Sequence, residues 1–339
     1  MNVATSITHA SEDQARGHRI LVCVDRSAPA ESCLASSISL ARALGSDLTL
    51  VYVMQPRHEH AGPHTDALDW EISRQEARAY LEQLEQHAVQ ALERPVAVRL
   101  EQGRAAERIV ELARELRADL TVLGSHGEGG ATARNLGSTV QQVVALSRGS
   151  VFIVHSSSDS PIAASPQRVV VPLDGSLRTE SVLPTAARIA RAYDAELILL
   201  HVVQELLPTA VLHRAEDLEL ARRLASRLEV SAKAYLEGLR AGLVREGASV
   251  RTLVVRHANQ RHSILETSKH EHADLIVVAA HGAACDPGRT FGSVTEYLLT
   301  HSVVPLLVLQ DLPETELHTP DLGEKIAPPL RASYPPECV

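Results

Sequence analysis

Gly124-Ser125-His126-Gly127 is followed, after nine residues, by Gly137-Ser138-Thr139 at the start of a helical pattern, TVQQVVALSR. These residue types suit an anion. Glycines let backbone approach a ligand closely, and Ser and Thr at a helix start add O–H donors to the N–H groups and dipole of the first turn. A second group, Asp25-Arg26-Ser27, directly follows the first apolar run. A loop glycine and an ordinary helix N-cap use the same residue types with no ligand. The choice between the two readings rests on what brings the segments together.

Other chemistries fail on simple grounds. A P-loop needs Gly-x4-Gly-Lys-Ser/Thr, yet the three lysines are Lys233, Lys269 and Lys325, and the first 232 residues have none. A dinucleotide fingerprint needs three spaced glycines after the first strand, where the chain has Asp-Arg-Ser or Asp-Gly-Ser. Phosphate charge near Gly137 would be met by backbone N–H groups, Arg134 and Mg²⁺, with Glu128 facing water. His58-Glu59-His60 with His64, and His270-Glu271-His272, read as solvated loops, because H-x-H on a loop fixes no metal geometry. His126 and His281 stand at equivalent places beside the cradle, with no orienting partner that would make either a general base. No catalytic or metal-ligating residue is therefore assigned. The four cysteines (Cys23, Cys33, Cys285, Cys338) lie far apart, and Cys23 reads as a small core residue. Trp70 reads as a packing anchor at the start of a long helix.

The elements that must position these groups come in two copies. Residues 19–53 match residues 168–202 at an offset of 149, placing Asp25 on Asp174, and the later blocks match at an offset of 155, placing Gly137 on Gly292. Each copy has five apolar runs: Arg19 to Val24, Leu48 to Val53, Val96 to Leu100, Leu120 to Leu123 and Val151 to Val154, then Val169 to Leu173, Leu197 to Val202, Val250 to Val255, Leu275 to Ala279 and Leu306 to Leu309. Helical spacing separates them, clearest at Ala77, Leu81, Leu84, Ala88 and Leu92, with a counterpart at Leu220, Leu224, Leu228 and Leu239. Runs apolar throughout, alternating with helices, predict two tandem doubly wound α/β domains, each a five-stranded parallel sheet with helices on both faces. The divisions fall at a polar N-terminal segment (1–18), a first domain (19–155), a Ser- and Pro-rich linker (156–167), a second domain (168–312) and a Pro-rich tail (313–339). Ligands of such sheets bind beyond the carboxyl ends of the strands where strand order reverses, which is where Asp25 and Gly124 arrive together. The last strand of each copy is expected near a sheet edge, where the two can pair as an internal pseudo-dimer.

The Gly-x2-Gly-x9-Gly-Ser spacing, the Asp after strand one and the approach ADLTVLGSHG resemble the universal stress protein family in its tandem two-domain form, from Arg19 to about Gln310. The resemblance implies an adenine-nucleotide α-hydrolase-like fold that dimerises, and a nucleotide-binding branch that holds ATP. It places Gly124, Ser125, His126, Gly127, Gly137, Ser138 and Thr139 around ribose and phosphates, Asp25 and Ser27 beside the nucleotide or its metal, and Val53 against adenine. Copy two departs from the pattern. Ala279 stands where the first glycine should be, so Asp174, Ser176, Val202, Gly282, Gly292 and Ser293 form a degenerate second site.

Composition limits the partners. The formal charge of −9 disfavours nucleic acid or an anionic membrane, which are held by excess Lys and Arg. The first 18 residues lack an apolar signal region, and no run approaches the ~18 apolar residues of a membrane span. A cytoplasmic protein is expected. The reading that follows is a nucleotide-responsive stress module binding ATP with Mg²⁺ mainly in domain 1. A slow Mg-dependent ATP hydrolase and a nucleotide-free interaction protein, alone or as a homodimer, are the alternatives.

Overall fold

Short aliphatic runs such as Arg19–Cys23 (RILVC) and Arg168–Pro172 (RVVVP) can be buried on both faces only inside a sheet covered by helices. The computed structural model describes residues 18–55, 67–126, 136–155, 165–205, 215–284, 286 and 289–311. In the first half β1 (Arg19–Cys23), α1 (Ala28–Leu44), β2 (Asp47–Met54), α2 (Ala67–Leu92), β3 (Ala97–Gln102), α3 (Ala105–Glu115), β4 (Leu120–Gly124), α4 (Ser138–Leu146) and β5 (Ser150–Val154) follow one another. The second half repeats them as β6 (Arg168–Pro172), α5 (Leu177–Glu180) with α6 (Leu183–Tyr193), β7 (Glu196–Gln204), α7 (Ala215–Arg245), β8 (Ser249–His257), α8 (Gln260–His270), β9 (Leu275–Ala279), α9 (Ser293–His301) and β10 (Leu306–Leu309). All ten expected strands are present, within a few residues of their expected bounds.

The two sheets are joined into one of ten strands, in the order β3-β2-β1-β4-β5-β10-β9-β6-β7-β8. Within each half every pairing is parallel. The joint between β5 and β10 is antiparallel, with Leu306 opposite Ile153, Leu307 opposite Phe152 and Val308 opposite Val151. Each last strand thus hides the other's unpaired edge, as the edge argument expects. Because the joint is antiparallel, the carboxyl ends of the two sets of strands point to opposite ends of the sheet. On one face α1 and α6 pack across the joint, and the Tyr193 hydroxyl of α6 donates to the Ser39 carbonyl of α1.

Alternate residues of the strands feed two layers. Val169 and Val171 join the core that contains Leu34, Ala41 and Leu236, whereas Val170 joins the one that contains Val143, Ile264 and Leu298. Left-handed residues end the matching helices α1 and α6. Gly45 (φ 59°) and Asp194 (φ 52°) sit at the same place in the repeat and each returns its N–H to the last turn.

One expectation about α7 is corrected. Leu220, Leu224 and Leu228 are 68%, 48% and 47% exposed, and the buried stripe consists of Ala225, Ala232, Leu236 and Leu243. Leucine spacing shows that the segment is helical, but the face packed on the sheet is the one that carries Ala225, Ala232, Leu236 and Leu243. No helix among the described residues is long and apolar enough to cross a membrane.

Candidate functional site

Strand order reverses between β1 and β4, and a cavity of about 350 Å³ opens there at their carboxyl ends. That volume is in the range of small-molecule sites, about 300–1,000 Å³. Its walls include Asp25, Ser27, Val53, Gly124, His126, Gly137, Ser138 and Thr139, eight residues drawn from four separate segments of the first half. The β1–α1 turn holds Asp25 in place: its carboxylate accepts from the Ser27 N–H at 3.0 Å and from the Ser27 hydroxyl, and its carbonyl accepts from Tyr80 Oη at 2.6 Å. On the other side Gly137 caps α4, and its N–H donates to the Ser125 carbonyl at 2.8 Å. This bond ties the helix start to the end of β4, so the first-turn N–H groups of Ser138 and Thr139 sit at the cavity wall.

Ser125 does not line the cavity. It is buried, its N–H donates to Val154 of β5, and its Oγ lies 3.1 Å from His126 Nδ1, so its part is to hold the loop. Gly127, Glu128 and Arg134 lie outside the described residues, as do His58, Glu59, His60 and His64. No group of three His, Cys, Asp or Glu suited to a metal occurs among the described residues.

Sequence reasoning missed part of the wall. Gln55, beyond the end of β2, lines the cavity, as do Cys33 on α1, Ala105 and Ile109 on α3, and Cys23. Cys23 and Cys33 lie close enough to influence each other. Burial first pushes both thiols up, then Cys33 and Asp25 at Cys23, and Asp25 at Cys33, which rises to about 12, so neither is a thiolate at neutral pH. The wall combines apolar side chains such as Val51, Val53 and Ile109 with polar ones such as Ser27, Gln55 and Ser138. Among its described lining residues Asp25 is the only carboxylate, and there is no Lys or Arg.

The equivalent place in the second half is built differently. Asp174 Oδ1 accepts from Ser176 N at 2.9 Å, Ser176 Oγ at 2.6 Å and Thr179 Oγ1 at 2.8 Å, while Oδ2 accepts from Ala283 N at 2.8 Å. Burial works against the charge, but the hydrogen bonds from Ser176, Ala283 and Thr179 hold this carboxyl below its usual value. A Cβ at Gly282 would stand 2.5 Å from Asp174 Oδ2, so glycine here lets the β9 loop close onto Asp174. Val202 is buried, and Gly292 caps α9 ahead of Ser293, where a Cβ would stand 3.4 Å from His281 Cα.

His281 has an orienting partner that sequence reading did not find. Its N–H and Nδ1 both lie 2.9 Å from Asp311 Oδ1, its Nε2 lies 2.8 Å from the Arg289 carbonyl, and Arg178 Nη1 reaches Asp311 Oδ2 at 3.1 Å. Asp311 is far from this loop in sequence and follows β10, so only the β9–β10 pairing brings it here. No local spacing signals it.

A family model described as the universal stress protein family matches residues 17–155 and 166–310. The chain belongs to that family. A universal stress protein of Mycobacterium tuberculosis is 30% identical over 209 residues, covering 59% of this chain and 64% of that protein, so the match spans a little under two thirds of the relative's length. A universal stress protein of Mycolicibacterium smegmatis is 25% identical over 300 residues, 86% of this chain and 96% of that one. The crystal structure of a universal stress protein from Archaeoglobus fulgidus, 18% identical, superposes with a TM-score of 0.61 over 86% of this chain and 98% of its own, which supports the shared fold. In this universal stress protein the two family matches coincide with the two parallel halves of the sheet.

Proposed function

We propose that this universal stress protein is a nucleotide-responsive module that binds ATP, with Mg²⁺, in its first half. The observation that carries the reading is the cavity at the β1/β4 reversal, with a carboxylate on one wall and the glycine-capped start of α4 on the other. The start of α4 offers N–H groups and a positive dipole end to phosphates, and the apolar floor of Val51, Val53 and Ile109 suits the flat face of a base. A bare polyphosphate is a poorer fit, since the described walls supply no Lys or Arg to neutralise it. A phosphate group carrying its own divalent cation meets Asp25 favourably. In this arrangement Asp25 would face the metal, Ser138 and Thr139 the phosphates, and Gly124 the ribose.

Binding is favoured over turnover. No described cationic side chain lines the cavity to stabilise charge at a transferred phosphoryl group. The test is mass spectrometry of ligand retained by purified protein, followed by calorimetry with ATP in the presence and absence of Mg²⁺. One equivalent of Mg-dependent binding is expected. Failure of the full-length protein to bind adenine nucleotides with or without Mg²⁺ would overturn the reading, and rapid product formation would recast it as a hydrolase.

A further inference from the structure

His281, Asp311 and Arg178 form a buried charged cluster at the carboxyl edge of the second half, 1% and 2% of the His281 and Asp311 surfaces remaining exposed. Both ring nitrogens of His281 face groups that can only accept, the Asp311 carboxylate and the Arg289 carbonyl, so the ring must donate twice and carries a positive charge. Asp311 accepts from the His281 N–H, the His281 ring and the Arg178 guanidinium. Burying the His281 and Asp311 charges is costly, and well-packed apolar residues would give similar or greater stability, so such a pair, reached by the part-exposed Arg178, is better explained by what it positions. It spans the crevice: Arg178 comes from α5 beyond β6, His281 from the loop after β9, and Asp311 from beyond β10. The loop bearing His281 is also pinned to Asp174 through Ala283. In the first half the repeat places Pro29 opposite Arg178 and Ser156 opposite Asp311, so the sequence has neither the cation nor the carboxylate, while His126 matches His281.

We propose that the second crevice is a latent phosphate-binding site whose anion position is filled by the protein's own Asp311 carboxylate, held there by His281 and Arg178, and that removing this charge opens it to a nucleotide phosphate. The ligand class rests on the reading of the first half; the latch itself does not. Backbone and ring donors of the kind that would serve a phosphate, a loop N–H, an imidazolium and a guanidinium, are already assembled around one carboxylate.

Two measurements separate the latch from the ligand class. The first needs no ligand: imidazole NMR of histidine-labelled protein, assigned with His281→Gln, should show a doubly protonated His281 ring that persists above the ordinary histidine range. Asp311 and Arg178 are the charged groups facing that ring, and Asp311→Asn should lower its pKa, because burial and Arg178 then oppose the charge. A His281 ring that is neutral at pH 7 in the native protein would overturn the latch. The second is calorimetry with Mg-ATP and with inorganic tripolyphosphate on a Gly137→Val background, in which the first crevice is blocked. Adding Asp311→Asn should restore one equivalent of binding, at least tenfold tighter than the background, and Asp311→Ala should do the same if folded by circular dichroism. If native protein binds one equivalent and neither double variant binds any, the latent site is wrong. If tripolyphosphate binds the double variant while native protein binds no nucleotide, the latent site stands and the nucleotide reading of the first half falls.

Discussion

Asp25 and Asp174 occupy the same turn after the first strand of each half, yet one borders a cavity of about 350 Å³ and the other is hydrogen-bonded to the loop that follows β9. Gly137 and its repeat mate Gly292 make the same bond, each N–H donating at 2.8 Å to a carbonyl of the preceding loop, Ser125 and Ala280. What sets the second half apart is Gly282, which lets its loop approach Asp174. A shared glycine spacing thus predicts a backbone path, and the side chains arriving from elsewhere decide whether that path holds a ligand or fills itself.

The largest expected effect tests the closed half. Asp311→Ala leaves the His281 imidazolium and Arg178 without their shared carboxylate and should cost about 3–5 kcal/mol in denaturant unfolding, the usual penalty for breaking a buried ion pair. Asp25→Ala, in the open half, should cost less than about 1 kcal/mol while weakening Mg-dependent binding. Equal losses in stability would erase the distinction. Next, Gly137→Val places a branched side chain against the approaching phosphates and should weaken nucleotide binding about 100-fold, close to 3 kcal/mol. Gly292→Val should leave affinity within about twofold, as the nucleotide is proposed to sit in the other half. Calorimetry showing equal losses would contradict this.

The halves should also respond to pH with opposite signs. Burial first, then His126, depresses His155 to about 4, against an ordinary 6.5. The unfolded chain therefore binds the proton more readily between those values, and stability is lost as pH falls from about 6.5 toward 4. At His281 burial lowers the pKa, but the hydrogen bonds to Asp311 and to the Arg289 carbonyl outweigh it and raise the value overall. That contribution is complete below the ordinary histidine pKa and is lost as pH rises through the folded one. Melting curves across pH should flatten on the acid side in His155→Gln and on the alkaline side in His281→Gln. The reverse pattern would show that the charges were assigned to the wrong half.

Smaller effects sharpen the outlines. Ser138→Ala with Thr139→Ala should weaken nucleotide retention about tenfold, near 1.4 kcal/mol, without changing the hydrolysis rate per bound nucleotide. A fall in that rate with binding intact would move these hydroxyls into catalysis. Smallest of all, Leu224→Glu on the exposed stripe of α7 should shift stability by no more than about 0.5 kcal/mol, in contrast to Ala232→Glu on its buried stripe. A large loss from Leu224→Glu would mean that the exposed stripe is covered in solution.

Much of this arrangement is legible in sequence because its signals are local. Five aliphatic runs per copy, the Asp after the first and the Gly-Ser before a helix each occupy a few adjacent residues, and the repeat supplies every signal twice. What escaped reading is what tertiary structure alone brings together. Asp311 reaches His281 only through the pairing of β10 with β9, and Cys33 and Gln55 reach the cavity only because α1 and β2 flank β1. The stripe on α7 failed for a related reason: leucines at helical spacing mark a helix, while the sheet it packs on decides which face is buried, here that of Ala225, Ala232, Leu236 and Leu243.

The antiparallel joint between β5 and β10 has an evolutionary consequence. Where two identical chains associate through such an edge, every substitution appears in both partners, so neither site can be altered without altering the other. Here both partners are carried on one polypeptide, and each half mutates alone while the covalent connection keeps its neighbour at high local concentration. The fusion releases the pair from enforced symmetry. One half is free to trade its crevice for a buried charge cluster while the other keeps its opening, a divergence that identical partners could not sustain.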